Sequence, residues 1–204
     1  MKFEHNFTML IAGSTGSGKT EFCKRLIREE MIQPKPEKIY WCYGEYQKAY
    51  NDMPGVEFYH GIPTTLYEEL DVSKNNLLIC DDLMNDKSAE KMINKFFCQG
   101  SHHRNLSVIH ILQNLFPRSP DMRNISLNSH YIVLFKNPRD KLQITRLASQ
   151  MGLPKVIPEA FKDATSEKPF TYLILDLKPK TNEELRIRTK IFPADGGVVV
   201  YQPR

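Results

Sequence analysis

Gly13-Ser14-Thr15-Gly16-Ser17-Gly18-Lys19-Thr20 has the residue types and spacing of a phosphate-binding P-loop, G-x-x-x-x-G-K-[ST]. Its glycines let successive backbone N–H groups turn toward phosphate oxygens without Cβ clashes. Lys19 is placed to reach the β- and γ-phosphates of a nucleotide, and Thr20 to offer its hydroxyl to Mg²⁺. All the residues from Gly13 to Thr20 are therefore candidate binding positions, with ATP and Mg²⁺ as the implied ligands.

Binding alone is not hydrolysis, which also needs the far side of Mg²⁺ held and a water activated. Asp81 and Asp82 close an apolar run, Leu77-Leu78-Ile79-Cys80. In the Walker B manner, Asp81 would hold Mg²⁺ through water and Asp82 would orient and polarise the attacking water. Two adjacent carboxylates at a buried strand end repel each other unless a cation sits there. Asp82 is shorter than the glutamate more often found at its position. Gln113 ends another apolar run and could touch the γ-phosphate or the water. Arg104 precedes that same run. Its guanidinium could enter a neighbouring subunit's site as an arginine finger and neutralise developing charge. A surface arginine in the turn His102-His103-Arg104 is the plainer reading, and Arg118, Arg123, Arg139 and Arg146 are rivals for the role. Cys98 and His102 are spaced i, i+4 beside His103, but a metal site there needs further ligands that the sequence does not supply. His110 alternates within its strand and reads as structural.

These groups need a scaffold that brings strand ends together. Residues 7–12 read as a buried strand before the loop and residues 21–31 as a helix after it, which is the context a P-loop requires. Further strands are expected at 38–43, 56–60, 75–82, 106–112 and 130–135. Helices are expected at 87–99, ended by Gly100, at 137–152 starting with Asn137-Pro138, and at 158–164. Residues 66–70 suggest a helical turn, and 117–128 a loop with a short helix. The segments 170–176 and 186–192 read as an antiparallel pair, and the Gly196-Gly197 tail, 195–204, as a mobile end. Strands alternating with helices predict an α/β P-loop NTPase domain over residues 1–204, its central sheet mostly parallel.

The 204 residues suit one domain with a substantial core. No apolar run reaches membrane-spanning length, and the N-terminus lacks a signal-peptide pattern, so an intracellular protein without a membrane segment is expected. Four scattered cysteines, Cys23, Cys42, Cys80 and Cys98, read as reduced and mostly buried. Charge is uneven: residues 1–100 hold 12 basic and 15 acidic side chains, whereas 101–204 hold 16 basic and 9 acidic. The basic second half suits a polyanionic partner or a solvated face.

The ordered set of P-loop, Asp81-Asp82, Gly100–Arg104 and a strand ending in Gln113 resembles the FtsK–HerA group of additional-strand P-loop ATPases. Within that group it is similar to the genome-packaging ATPases of double-stranded DNA viruses. The segments 134–144, 162–165, 172–176 and 185–189 resemble the ATPase of Polinton/Maverick elements and adintoviruses. The resemblance implies a homomeric ring that drives double-stranded DNA into a capsid using ATP. It implies contacts to DNA phosphates without sequence choice, and a capsid or portal partner. It also implies a place in the host nucleus or cytoplasm or with the virion. Lys19, Thr20, Asp81, Asp82 and Gln113 fall on matching positions. The arginine fits less directly, because many viral relatives read Gly-Arg-His where this chain reads Gly100-Ser101-His102-His103-Arg104. Two other classes remain open from sequence: a nucleotide kinase, which would need an acceptor pocket and an arginine-rich lid, and a nucleotide-gated assembly factor without turnover.

Overall fold

A computed structural model describes residues 2–83, 87–115, 119–139 and 141–202, apart from the side chains of Ala49 and His102. The apolar runs become the strands of one sheet. β2 (Thr8–Ala12) leads into the P-loop and helix α1 (Lys19–Arg28). Before and after this unit, β1 (Phe3–Glu4) and β3 (Ile32–Gln33) form a small parallel pair of their own. The chain continues through β4 (Lys38–Tyr43), β5 (Val56–His60), α2 (Leu66–Glu69) and β6 (Asn76–Asp81). Helix α3 (Lys87–Lys95) and the short α4 (Ser101–His103) precede β7 (Leu106–Leu112). Then come α5 (Pro120–Leu127), β8 (Tyr131–Phe135), α6 (Leu142–Gln150), α7 (Val156–Ala164) and β9 (Tyr172–Asp176). Two short strands, β10 (Ile187–Thr189) and β11 (Val199–Tyr201), finish the sheet.

Among the described residues the main sheet has nine strands, in the order β11-β10-β9-β8-β2-β7-β6-β4-β5. From β5 to β8 every pairing is parallel. From β8 outward to β11 every pairing is antiparallel. Every residue of β2, β6, β7 and β8 is buried, as expected of parallel strands covered on both faces. The pleat divides β2: Leu10 and Ala12 face the layer built by α2, α3, α5, α6 and α7, while Met9 and Ile11 face α1. Trp41 is fully buried on the α1 side, in the core role expected of a strand aromatic.

Four local expectations change. Gly100 does not end its helix. A π-helical turn (Phe96–Gly100) carries the helix on to His103, and Gly100 keeps an ordinary helical φ of −63°. A Cβ there would lie 3.2 Å from Leu106 and 3.4 Å from Phe96, so the glycine serves close packing rather than a left-handed cap. The helix expected from 137 begins only at Leu142, because Asn137 Oδ1 accepts from the Arg139 N–H and makes a side-chain turn instead. Helix α1 stops at Arg28, and the chain is drawn away to pair β3 with β1. The glycine tail is a turn, with Gly196 and Gly197 at φ 86° and 121°, and it returns the chain to place β11 on β10. Among the described residues no helix is long and apolar enough to cross a membrane.

Candidate active site

The parallel strands all deliver their C-terminal ends to one edge, and the site is built there. β2 turns through the P-loop into α1, whose first turn is capped by Gly18 at φ 103°. A side chain at Gly18 would be strained by that angle and would press on Phe170. The Gly13 N–H donates to the Leu112 carbonyl at 3.3 Å, tying the loop to the end of β7. Ser14 Oγ donates to the Lys136 carbonyl at 3.1 Å, tying it to the end of β8.

Lys19 is buried, and its ammonium donates to the carbonyls of Gly13 at 2.8 Å and Ser14 at 2.9 Å. Burial lowers its pKa, and the nearby carboxylates of Asp81 and Asp82 oppose that shift. Ser17 Oγ is buried in the loop and has no hydrogen-bond partner among the described residues. Open glycine backbone, a helix N-terminus, a cationic side chain and an unsatisfied hydroxyl together suit an anion.

Across the cavity, Asp81 is buried at the last position of β6. Its Oδ2 accepts from Thr20 Oγ1 at 3.3 Å and from the Tyr50 hydroxyl at 3.0 Å. Burial raises the carboxyl's pKa, the two hydroxyl donors lower it, Asp82 raises it and Lys19 lowers it. The Thr20 hydroxyl and Asp81 carboxylate are hard oxygen donors, the pair that could hold Mg²⁺ together with nucleotide phosphates. Among the described residues no group of three or more His, Cys, Asp or Glu side chains could hold a metal by itself. Of the Cys98 and His102 pair, Cys98 donates to Asn94 Oδ1 at 3.1 Å, and the His102 side chain lies outside the described residues.

Asp82 lies just past the strand, exposed, with a left-handed φ of 55°. That turn sends its carbonyl against Gly44, where an added Cβ would stand 2.3 Å from the oxygen. The Gly44 N–H also donates to the Asp81 carbonyl at 3.0 Å. Gln113, one residue beyond β7, donates from Nε2 to Asp82 Oδ1 at 3.4 Å. A cavity of about 570 Å³ brings together Lys19, Thr20, Asp81, Asp82 and Gln113, with Gln47 on its wall.

Arg104 is not part of this cavity. It precedes β7, whereas Gln113 follows it, so the whole strand separates them. Its guanidinium carbon sits 4.8 Å from the centre of the Tyr67 ring, a cation–π contact. Arg123 and Arg146 are exposed on helices, and Arg139 is exposed in the turn after β8. Arg118 falls outside the described residues. His110 is buried in β7 with Nδ1 3.3 Å from the Cys80 carbonyl, and burial lowers its pKa to about 4, which leaves it neutral and structural.

Three residues of the site carry no motif. Tyr50 comes from a 3₁₀ turn (Lys48–Asp52) and rests on Trp41, Tyr43 and Phe58. Gln47 precedes that turn, and Gly44 follows β4 directly. The aromatic density of this stretch is the signal that points to a buried feature there.

A loop between β2 and α1, with β7 inserted between β2 and the acidic strand β6, defines the P-loop NTPase fold in its additional-strand form. Solved structures share it. The chain is similar to the genome packaging NTPase B204 from Sulfolobus turreted icosahedral virus 2 in complex with ATPγS, at a TM-score of 0.58 and 14% identity over 97% of both chains. It is similar to B204, the DNA-packaging ATPase from Sulfolobus turreted icosahedral virus, at a TM-score of 0.55 and 14% identity over 100% of both chains. ATPases 2 and 3 of EssC from Geobacillus thermodenitrificans give a TM-score of 0.59 and 11% identity, over 92% of this chain and 40% of that one. No protein-family model and no curated protein matches the chain.

Proposed function

We propose that this chain is an ATP-hydrolysing motor that moves double-stranded viral DNA into capsids. The observation that carries the hydrolytic part is the convergence of Lys19, Asp81, Asp82 and Gln113 on one cavity. Lys19 leaves its two loop carbonyls for the β- and γ-phosphates and holds them as negative charge shifts toward the leaving group. Thr20 and Asp81 would hold Mg²⁺, which supplies charge neutralisation on the same phosphates. Tyr50 keeps the Asp81 carboxylate oriented. Asp82, exposed to the cavity and steadied by the Gln113 amide, orients the attacking water and takes up its proton. Gln113 is thereby in contact with the group whose surroundings change when the γ-phosphate leaves.

The DNA-packaging part is supported by fold likeness to B204 across both chains nearly end to end, and by the basic second half of the sequence. The segments 134–144, 162–165, 172–176 and 185–189 support the Polinton/Maverick and adintovirus type. DNA is held through phosphates by Lys and Arg, as a packager of any sequence requires. The measurement that checks this is ATP turnover with and without duplex DNA, alongside DNA affinity over a salt series. Turnover is expected to rise with DNA and affinity to fall steeply with salt. Equal turnover in both conditions refutes translocation.

The motor works as a homomeric ring docked on a capsid or portal protein. Since Arg104 lies across the sheet from its own subunit's cavity, its catalytic role is in trans. Mixtures of Arg104→Ala and Asp82→Asn subunits are expected to regain DNA-stimulated activity that neither variant has alone. No recovery in co-assembled, folded mixtures removes Arg104 from that role.

A further inference from the structure

A second cavity, of about 230 Å³, lies on the other side of the first turn of α1. It shares Gly18 and Glu21 with the catalytic cavity but none of its carboxylates from β6. Its walls are Phe22, Phe135, Phe170, Tyr172 and Phe192, with Arg25 at the side. Phe22 packs edge-on against the rings of Tyr172 at 4.8 Å and Phe192 at 5.2 Å between centroids. Phe170 differs from the other four. It is 66% exposed and its backbone is left-handed, φ 66°, a conformation that a bulky residue adopts at a cost. That backbone sets its Cβ against Gly18, beside the loop itself.

The P-loop fixes where phosphates lie, and Asp81, Asp82 and Gln113 fix the side on which the γ-phosphate lies. The nucleoside therefore leaves the loop on the opposite side, where this recess opens. Resting on the phosphate-binding reading above, we propose that the recess is the slot for the nucleotide's base and that Phe170 is its stacking wall. Stacking accepts any base, since each has a π face. Discrimination between bases needs polar groups aimed at their edges, and the polar side chains here are engaged with one another. Arg25 donates to Glu29 at 2.7 Å and to Asp195 at 3.2 Å, and its guanidinium covers the Phe192 ring. The Tyr172 hydroxyl donates to Asp195 at 3.1 Å, and Glu21 accepts from Arg28 at 3.3 Å. The slot thus selects for a planar base and not for which base, so ATP and GTP are both taken.

The test compares ATP, GTP and inorganic tripolyphosphate, each with Mg²⁺, by titration calorimetry on the full chain and on Phe170→Ala and Phe170→Trp. ATP and GTP are expected to bind within about threefold of each other, and both at least about tenfold more tightly than tripolyphosphate. Phe170→Ala is expected to remove about tenfold of nucleotide affinity, leave tripolyphosphate unchanged, and be rescued by Phe170→Trp. Unchanged ATP affinity in Phe170→Ala overturns the slot, as does an equal loss for ATP and tripolyphosphate, which would place Phe170's effect on the loop. A preference of more than about 30-fold between ATP and GTP overturns selection by plane alone. Failure of the wild-type chain to bind tripolyphosphate at all identifies the phosphate-loop reading as the fault.

Discussion

The first turn of α1 has two flanks built from opposite materials. On one side Asp81, Asp82 and Gln113 at strand ends, with Thr20 of the helix itself, make a charged, polar surface. On the other, Phe22, Phe135, Phe170, Tyr172 and Phe192 make an aromatic one. The polar flank depends on individual oxygen and nitrogen atoms at set positions, so small displacements matter there. The aromatic flank depends on area and flatness, which several rings share. Perturbing the two should therefore produce effects of different size and kind.

The largest effect is expected at Gly44, which has no polar side chain of its own. Gly44→Ala forces a methyl group against the Asp82 carbonyl and must move the carboxylate proposed to orient the water. Turnover is expected to fall about 100-fold, the scale of an ångström-sized misplacement, while tripolyphosphate still binds. Steady-state kinetics beside calorimetry checks this, and full activity in the variant shows that Asp82 needs no such placement.

A second effect concerns acid. His110 lies behind the polar flank, and burial lowers its pKa from 6.5 to about 4. Between those values the unfolded chain binds a proton that the folded chain refuses, so stability falls as pH drops through that window and levels off below it. The loss attributable to His110 is about 3 kcal/mol. Denaturant melts over this range should show a shallower acid limb for His110→Asn, whose amide still donates to the Cys80 carbonyl. Parallel curves contradict the assignment. The aromatic flank should add nothing in this window, since burial pushes the Tyr172 phenol upward. The smallest effect is the roughly tenfold affinity change at Phe170, because the remaining rings persist when one is removed.

The same contrast explains what could be read from sequence. Phosphate and metal chemistry demands glycine, lysine, a hydroxyl and carboxylates at fixed spacing, so Gly13–Thr20 and Asp81-Asp82 were visible as patterns. Gln113 was visible as a polar residue ending an apolar run. Apolar and aromatic runs marked the strands, and β4, β5 and β7 fall where those runs predicted, although only β7 of the three is buried throughout. Stacking makes no comparable demand on order. Phe22, Phe135, Phe170 and Phe192 are far apart in the chain and meet only through the sheet order. Tyr50 acts through tertiary packing, and only the aromatic density of its stretch marked it. Gly100 misled because a glycine after an apolar helix face fits both a cap and a tight packing contact, and only the neighbouring Leu106 and Phe96 decide between them.

β7 holds Gln113 just past one end and Arg104 just before the other, and all seven of its residues are buried between β2 and β6. At about 3.3 Å per residue it is a strut roughly 20 Å long. Laddered on both sides, it has no room to buckle, so it can shift only as a rod. In the proposed ring, such a rod would span one subunit from its own spent phosphate to the neighbour's loaded one. The order in which subunits fire would then be a matter of mechanics within a single strand, without a separate relay.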